Sequence, residues 1–263
     1  MPLHSTLNVP EKILGMGNFG CGKTSAWLNI AVKAQLTKSD AQFYVLDTDD
    51  AVDGMVETNP KYQALENLHI SPGFEYPDCI SWLKRSREIV KPQDWLVVDF
   101  VDSIWDTTQR YFTAEVFEQD MGNYFLQARK ALSGDAKNLK AFEGWTDWQV
   151  INKLYGDFAN PLFKRTRANI YCTSKIEEVA EDEKNREVRQ MFGSAKVKPT
   201  GQKHLGFQFR TIVVFSKVVS GQTERFTYTT IKDRERELQR SHSCENFTTD
   251  YLVEVAGWKL GSI

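Results

Sequence analysis

Residues 17–24 read Gly17-Asn18-Phe19-Gly20-Cys21-Gly22-Lys23-Thr24, and this stretch restricts the possible folds more than any other part of the chain. A short apolar run before it, Ile13-Leu14-Gly15-Met16, suits a buried strand, and residues 25–32 after it carry an apolar stripe at helical spacing. Strand, glycine loop and helix in that order form a cradle for anions. The glycines let the backbone curl until successive N–H groups point at phosphate oxygens, and the following helix adds the positive end of its dipole. In the pattern G-x-x-x-x-G-K-T, Lys23 reaches the β- and γ-phosphates and the Thr24 hydroxyl coordinates Mg²⁺. Gly17, Asn18, Phe19, Gly20, Cys21, Gly22, Lys23, Thr24 and Ser25 are therefore the candidate site for ATP, or another nucleoside triphosphate, with its Mg²⁺. The plain alternative is a glycine-rich turn that binds nothing, and the flanking strand and helix weigh against it.

With 263 residues the chain can bury a substantial core, and it reads as one large α/β domain with insertions rather than two independent units. Three parts are expected: an N-terminal tail (1–10), a nucleotide-binding domain (11–240), and a C-terminal loop and helix packed on the core (241–263). Lys and Arg total 33 against 35 Asp and Glu, a net charge of −2, so no global positive field draws the chain to nucleic acid or to an anionic membrane. Contact with a polyanion has to come from a local patch. Cys21, Cys79, Cys172 and Cys244 stand far apart with no C-x-x-C pair, which points to a reducing compartment and away from structural zinc. Cys21 lies among loop N–H groups beside Lys23, surroundings that favour its thiolate. The sequence has neither a signal-like N-terminus nor a stretch long enough for a membrane span, so the expected location is cytoplasmic, with no membrane partner.

Residues 41–46 read as a second strand ending in Asp47-Thr48-Asp49-Asp50, and Trp95-Leu96-Val97-Val98 as another ending in Asp99. Ligands of open parallel sheets gather at the carboxyl ends of the strands, which brings both sets of acids toward the nucleotide. Asp99 takes the place of the acid that organises Mg²⁺. Asp102 and Asp106 read as helix caps rather than metal ligands. Helical regions are expected at 114–132 and 145–165. The second carries Trp148, Val150, Ile151, Leu154, Tyr155, Phe158 and Leu162 as core, with Pro161 kinking or ending it. Residues 168–174 form a further apolar strand whose end offers Ser174 and Lys175 to the γ-phosphate. Residues 211–216 and 225–231, on either side of Ser220-Gly221, read as strand, turn and strand, with Lys232-Asp233-Arg234 at the far end. A polar loop at 241–245 and a helix at 248–255 follow.

With these features assembled, the chain resembles RecA-like P-loop ATPases, in particular the compact ones encoded by bacteriophages for recombination and single-strand annealing. Four stretches carry the resemblance: the Gly17 to Thr24 loop, Leu46-Asp47-Thr48-Asp49, Val97-Val98-Asp99, and Ile231-Lys232-Asp233-Arg234. It implies a RecA-like core, a mostly parallel sheet flanked by helices with a C-terminal antiparallel hairpin. It implies Asp49 as the acid that polarises the attacking water, where the family has glutamate. Aspartate is shorter by about 1.5 Å, one carbon–carbon bond, and misplacement by about 1 Å can cost around a hundredfold in rate. Hydrolysis is then slow, or Asp50 takes over; an exposed turn acid is the plain reading of Asp49. The resemblance also implies that Lys232 and Arg234, two apart and so on one face of a strand, reach a neighbouring subunit's nucleotide in a homo-oligomeric ring or filament. A solvated charge cluster, with Glu235, Arg236 and Glu237 next in line, fits the same residues equally well.

RecA-type proteins carry a mobile DNA-contacting loop after the strand that senses phosphate, and here that interval, 176–209, is long. It is acidic at first and basic later, with Lys196, Lys198, Lys203 and, just beyond it, Arg210 as candidate DNA contacts, and Met191, Phe192 and Phe207 placed to stack against bases. A surface loop ordered only at a subunit interface is the competing reading. The expected function is thus an ATP-hydrolysing protein acting on single-stranded DNA in recombination, annealing or replication, alongside a single-strand-binding or annealing protein. A ring-type DNA translocase and a nucleotide-switched assembly module with little hydrolysis are the alternatives.

Overall fold

The apolar run before the glycine loop forms β1 (Lys12–Gly17) and the stretch after it α1 (Lys23–Leu36) in a computed structural model that describes residues 9–132, 142–220, 223–234, 242–244 and 247–258. The expectations for residues 1–8, the turn at 221–222 and the charged run at 235–241 lie outside the described residues. Next come β2 (Phe43–Asp47), α2 (Ala51–Thr58), α3 (Pro60–Gln63), β3 (Leu68–Pro72), α4 (Tyr76–Ile89) and β4 (Trp95–Asp99). Three helices, α5 (Ser103–Phe117), α6 (Met121–Leu132) and α7 (Gly144–Arg165), lead to β5 (Asn169–Ser174). An insertion holds β6 (Ile176–Glu178), α8 (Arg186–Phe192), β7 (Val197–Pro199) and a 3-10 turn, Leu205–Gln208. The chain continues through β8 (Thr211–Ser220), β9 (Thr223–Asp233), β10 (His242–Cys244) and a π-helical segment, Phe247–Val255.

Eight strands make one sheet in the order β10-β9-β8-β1-β5-β4-β2-β3. From β8 to β3 every neighbouring pair is parallel, whereas β9 and β10 return antiparallel. The expected α/β class, mostly parallel sheet and antiparallel hairpin are therefore present. Alternate residues of the central strands serve opposite faces, as the period of two requires. Ile13, Val45, Val97 and Tyr171 pack under α1 and the π-helical segment. Leu14, Leu46, Val98 and Cys172 pack against α4, α5, α7 and α8. Helices cover both faces, so these strands are apolar throughout rather than alternating with polar residues.

Several local expectations need correction. The region expected to be one helix over 114–132 is two, because α5 ends at Phe117 and Glu118 turns left-handed. Pro161 does not end α7, which continues to Arg165. Ile151, Tyr155, Phe158 and Leu162 are core as expected, but Trp148 and Val150 face outward. Residues 176–209 are not a structureless loop. Val188 and Phe192 on α8, with Leu205 and Phe209, bury against the back of the sheet, so the interval joins the main core on that face.

Candidate functional site

β1 ends at Gly17 and α1 begins at Lys23, so the glycine loop is the whole bend between them. Gly22 caps α1 in the left-handed region, φ 93°, where a side chain would be strained. A Cβ on Gly17 would lie 2.4 Å from the Phe215 carbonyl oxygen and 2.6 Å from Cys21 Sγ, so only glycine lets β8 approach here. The Gly22 cap offers no side chain to the first turn of α1, whose N–H groups are left for a ligand. Lys23 is buried, and its Nζ donates to the carbonyls of Gly17 (2.9 Å) and Asn18 (2.8 Å) while lying 5.1 Å from the Phe100 ring. Lys175 brings a second ammonium 5.3 Å from that ring and 5.7 Å from the ring of Phe19, which stands 78% exposed at the loop.

Parallel pairing brings the acids to the same edge. Asp47 is level with Asp99 across β2 and β4, and Gly15 with Thr173 across β1 and β5. Asp99, fully buried, faces α1. Trp27 Nε1 donates to Oδ2 (2.9 Å) and the Thr173 hydroxyl donates to Oδ1. Burial raises the Asp99 carboxyl above the usual range, and hydroxyl and indole donors around it, Thr173 and Trp27 first, oppose the rise. Thr48 fixes the neighbouring strand end: its N–H donates to the Asp99 carbonyl (2.7 Å), and its hydroxyl accepts from Phe100 N–H (2.7 Å). Asp49 follows directly and is pushed up to about 6, by partial burial first and then by Asp99 and Asp47. Asp47 is structural, accepting the Val52 N–H (2.9 Å) at the start of α2.

Other candidate residues lie elsewhere or act differently. Ser174 turns away and donates to the Lys175 carbonyl (2.8 Å); the strand's bond to Asp99 belongs to Thr173. Asp102 occupies the cap position of α5, yet its carboxylate accepts from the Thr200 hydroxyl (2.6 Å) instead of capping the helix, and Asp106 lies within the first turn. Burial raises the Cys21 thiol above its usual range despite Lys23, which reverses the expectation of a thiolate. Lys198 is held by Glu183 (3.0 Å) and Glu177 (3.4 Å), so its charge is compensated within the insertion. Lys196 and Lys203 are exposed, whereas Phe192 is buried and closed to any base. Arg210 lies at the other end of the molecule, one residue before β8 begins. Lys232 and Arg234 are there too, because β9 runs antiparallel and Lys232 pairs with Ile212 at the start of β8. Neither can reach the glycine loop of its own chain.

Beside the loop opens a cleft of about 540 Å³ between α1, the β8–β9 hairpin and the π-helical segment, within the range of small-molecule sites. Ser25, Asn29, Phe226 and Thr248 line it. The Thr248 hydroxyl oxygen is buried with no hydrogen-bond partner among the described residues. No protein-family model matches the chain, and no curated protein matches it. Among the described residues no helix is long and apolar enough to cross a membrane, and no group of three or more His, Cys, Asp or Glu is arranged to hold a metal.

Sequence reasoning missed Thr173, Trp27 and Phe100. For Trp27 a signal existed, since it follows Thr24 by three residues and so shares a helix face with it. For Phe100 the sequence held none.

Proposed function

We propose that the chain binds ATP with Mg²⁺ at residues 17–25 and hydrolyses it, as a RecA-like ATPase acting on single-stranded DNA with its sites between subunits. The observation that carries this is Asp99, a buried carboxylate held by Trp27 and Thr173 on the side of α1, at the mouth of a glycine loop that leads from strand to helix. Such a carboxylate is costly to bury without a charged partner to come. The donors here are a hydroxyl and carboxylates, with no imidazole within the set, and hard oxygen ligands suit Mg²⁺, which takes one or two protein groups beside phosphate and water. Thr24 and Asp99 would hold the ion, and bound Mg²⁺ neutralises charge on the β- and γ-phosphates.

The chain's own groups then divide the work. Lys23 exchanges the carbonyls of Gly17 and Asn18 for phosphate oxygens. The N–H groups of the loop and first helical turn hold the phosphates against the dipole end. Asp49 orients the attacking water and takes its proton, a task suited to a carboxyl whose pKa is about 6 and which is therefore charged at neutral pH. The nucleoside extends into the cleft along Ser25 and Asn29, where the Thr248 hydroxyl supplies a hydrogen-bonding group. Lys232 and Arg234 serve a neighbouring subunit's nucleotide.

Substituting Lys23→Ala tests the nucleotide reading. Binding of a fluorescent ATP analogue and turnover should both disappear while the far-ultraviolet circular dichroism stays native. Undiminished affinity for the analogue would overturn the assignment of the loop.

A further inference from the structure

The edge of the sheet opposite the glycine loop carries its own charged surface. β5 enters the sheet just after Arg167, β1 opens with Lys12, β8 follows Arg210, and antiparallel β9 ends before Arg234. Backbone bonds set Lys12, Arg210 and Arg234 side by side, and Arg167 lies just outside the sheet, three residues before the register partner of Lys12. The Ile170 N–H donates to the Glu11 carbonyl (2.8 Å), Arg210 N–H to Lys12 (3.0 Å) and Arg234 N–H to Arg210 (3.2 Å). At the usual strand spacing of about 4.8 Å, Lys12, Arg210 and Arg234 span about 10 Å, with Arg167 beyond Lys12. Lys12 Nζ donates to the Phe163 carbonyl and so draws in the end of α7, which adds Lys164 and Arg165.

Among the described residues Lys12, Lys164, Arg165, Arg167, Lys232 and Arg234 form no ion pair, and Lys232 gives its ammonium to the Gly206 carbonyl (3.0 Å). Described acids at this edge are bonded internally: Glu11 to Trp258, Asp233 to Tyr251, Asp94 to the N–H groups of Gln42 and Lys91, and Asp40 to the Gln93 side chain. Crowding registers in the cations themselves. Burial and Arg210 hold the Lys12 ammonium below its usual range, and burial and Arg234 push Lys232 down to about 8. Meanwhile Asp47, Asp49, Asp50, Asp53, Asp99 and Asp102 all stand at or beyond the far ends of the strands. A net charge of −2 conceals this segregation.

We propose that this row is a binding surface for the phosphodiester backbone of single-stranded nucleic acid. The exposed side chains include arginines, whose planar forks match phosphate oxygens two at a time. Their arrangement is a line rather than a pocket, which suits a polymer with a charge at every unit better than one isolated anion. Arg165 and Arg167 are exposed, so the polymer meets them without rearrangement of the sheet, while Arg234 at the end of the row is the residue assigned above to a neighbouring subunit's nucleotide. The surface lies at the opposite end of the sheet from Lys196 and Lys203, and it does not rest on the nucleotide assignment.

The test is anisotropy of a fluorescein-labelled oligothymidylate across a salt series, with wild type, an Arg165→Glu/Arg167→Glu variant and a Lys196→Ala/Lys203→Ala variant. These substitutions leave the Lys232 and Arg234 pair intact. The charge-reversed variant should bind about tenfold more weakly or worse. Its slope of log affinity against log salt should shrink by about 1.4, from 0.7 for each lost contact on a single strand. Binding of the ATP analogue should be unchanged, which separates this outcome from failure of the nucleotide site, and Arg165→Gln/Arg167→Gln guards against damage by the introduced acids. Three results would overturn the proposal: wild-type affinity retained by both arginine variants, affinity lost only with Lys196 and Lys203, or a wild type that binds phosphatidylserine vesicles or an acidic peptide but not the oligonucleotide.

Discussion

Asp49 and Thr173 show how single groups tune the proposed site. With a folded-state pKa near 6 against an ordinary 3.8, Asp49 must lose its proton to act as a base. Turnover should therefore rise with pH through an inflection near 6, and Asp49→Asn should lose both the inflection and most of the activity; a flat profile through that range in the wild type would assign the proton to another group. The same shift acts on stability with opposite sense. Between about pH 4 and 6 the folded chain keeps a proton that the unfolded chain has released, so this group makes stability fall as pH rises through that window, and Asp49→Asn should flatten the fall. Thr173→Val removes a donor from a carboxylate that is buried. A loss of about 1–3 kcal/mol in urea unfolding is expected, with reduced turnover. Ser174→Ala, whose hydroxyl bonds only the adjacent carbonyl, should change stability by less than about 1 kcal/mol.

At the level of elements, the insertion between β5 and β8 is tied to the strand that carries Asp99. Thr200 N–H donates to the Lys175 carbonyl (3.1 Å) at the end of β5, and its hydroxyl donates to Asp102, three residues beyond Asp99. Thr200→Val should speed hydrogen exchange across β6 and β7 while leaving β1 and β4 protected, since hydrogen bonds to charged groups are worth about 1.5–3 kcal/mol. Equal protection in both proteins would mean that the buried α8 contacts alone hold the insertion. This tie was not legible in the sequence, because Asp102 and Thr200 are 98 residues apart and aspartate before a helix reads locally as a cap. The glycine loop, the central strands and the hairpin were legible, since strand, loop and helix each leave a local periodic trace. α8 left one as well: Val188, Met191 and Phe192 stand at helical spacing, hidden among the charges of residues 177–189. The choice of Thr173 over Ser174 depends on which face of β5 meets α1, a matter of register between strands far apart in the chain.

Across the whole molecule, the two ends of the parallel strands hold different chemistry, and Lys232 and Arg234 are separated from the glycine loop of their own chain by the height of the sheet. If they complete a neighbour's site, inactive Lys23→Ala and Arg234→Ala proteins mixed in equal amounts should recover activity at about a quarter of their head-to-tail interfaces. No recovery at any ratio would place Arg234 outside the neighbour's site. The position of β1 has a consequence for biosynthesis. Among the described strands it leads in chain order, yet its partners are β5 and β8, with Lys12 opposite Ile170 and Ile13 opposite Thr211. At about 5–20 residues per second, the strand that bears the loop waits on the order of ten seconds for β5 and longer for β8. Throughout that wait its apolar faces and both edges are open, so a nascent chain stalled before residue 170 should depend on chaperones far more than one released after residue 220.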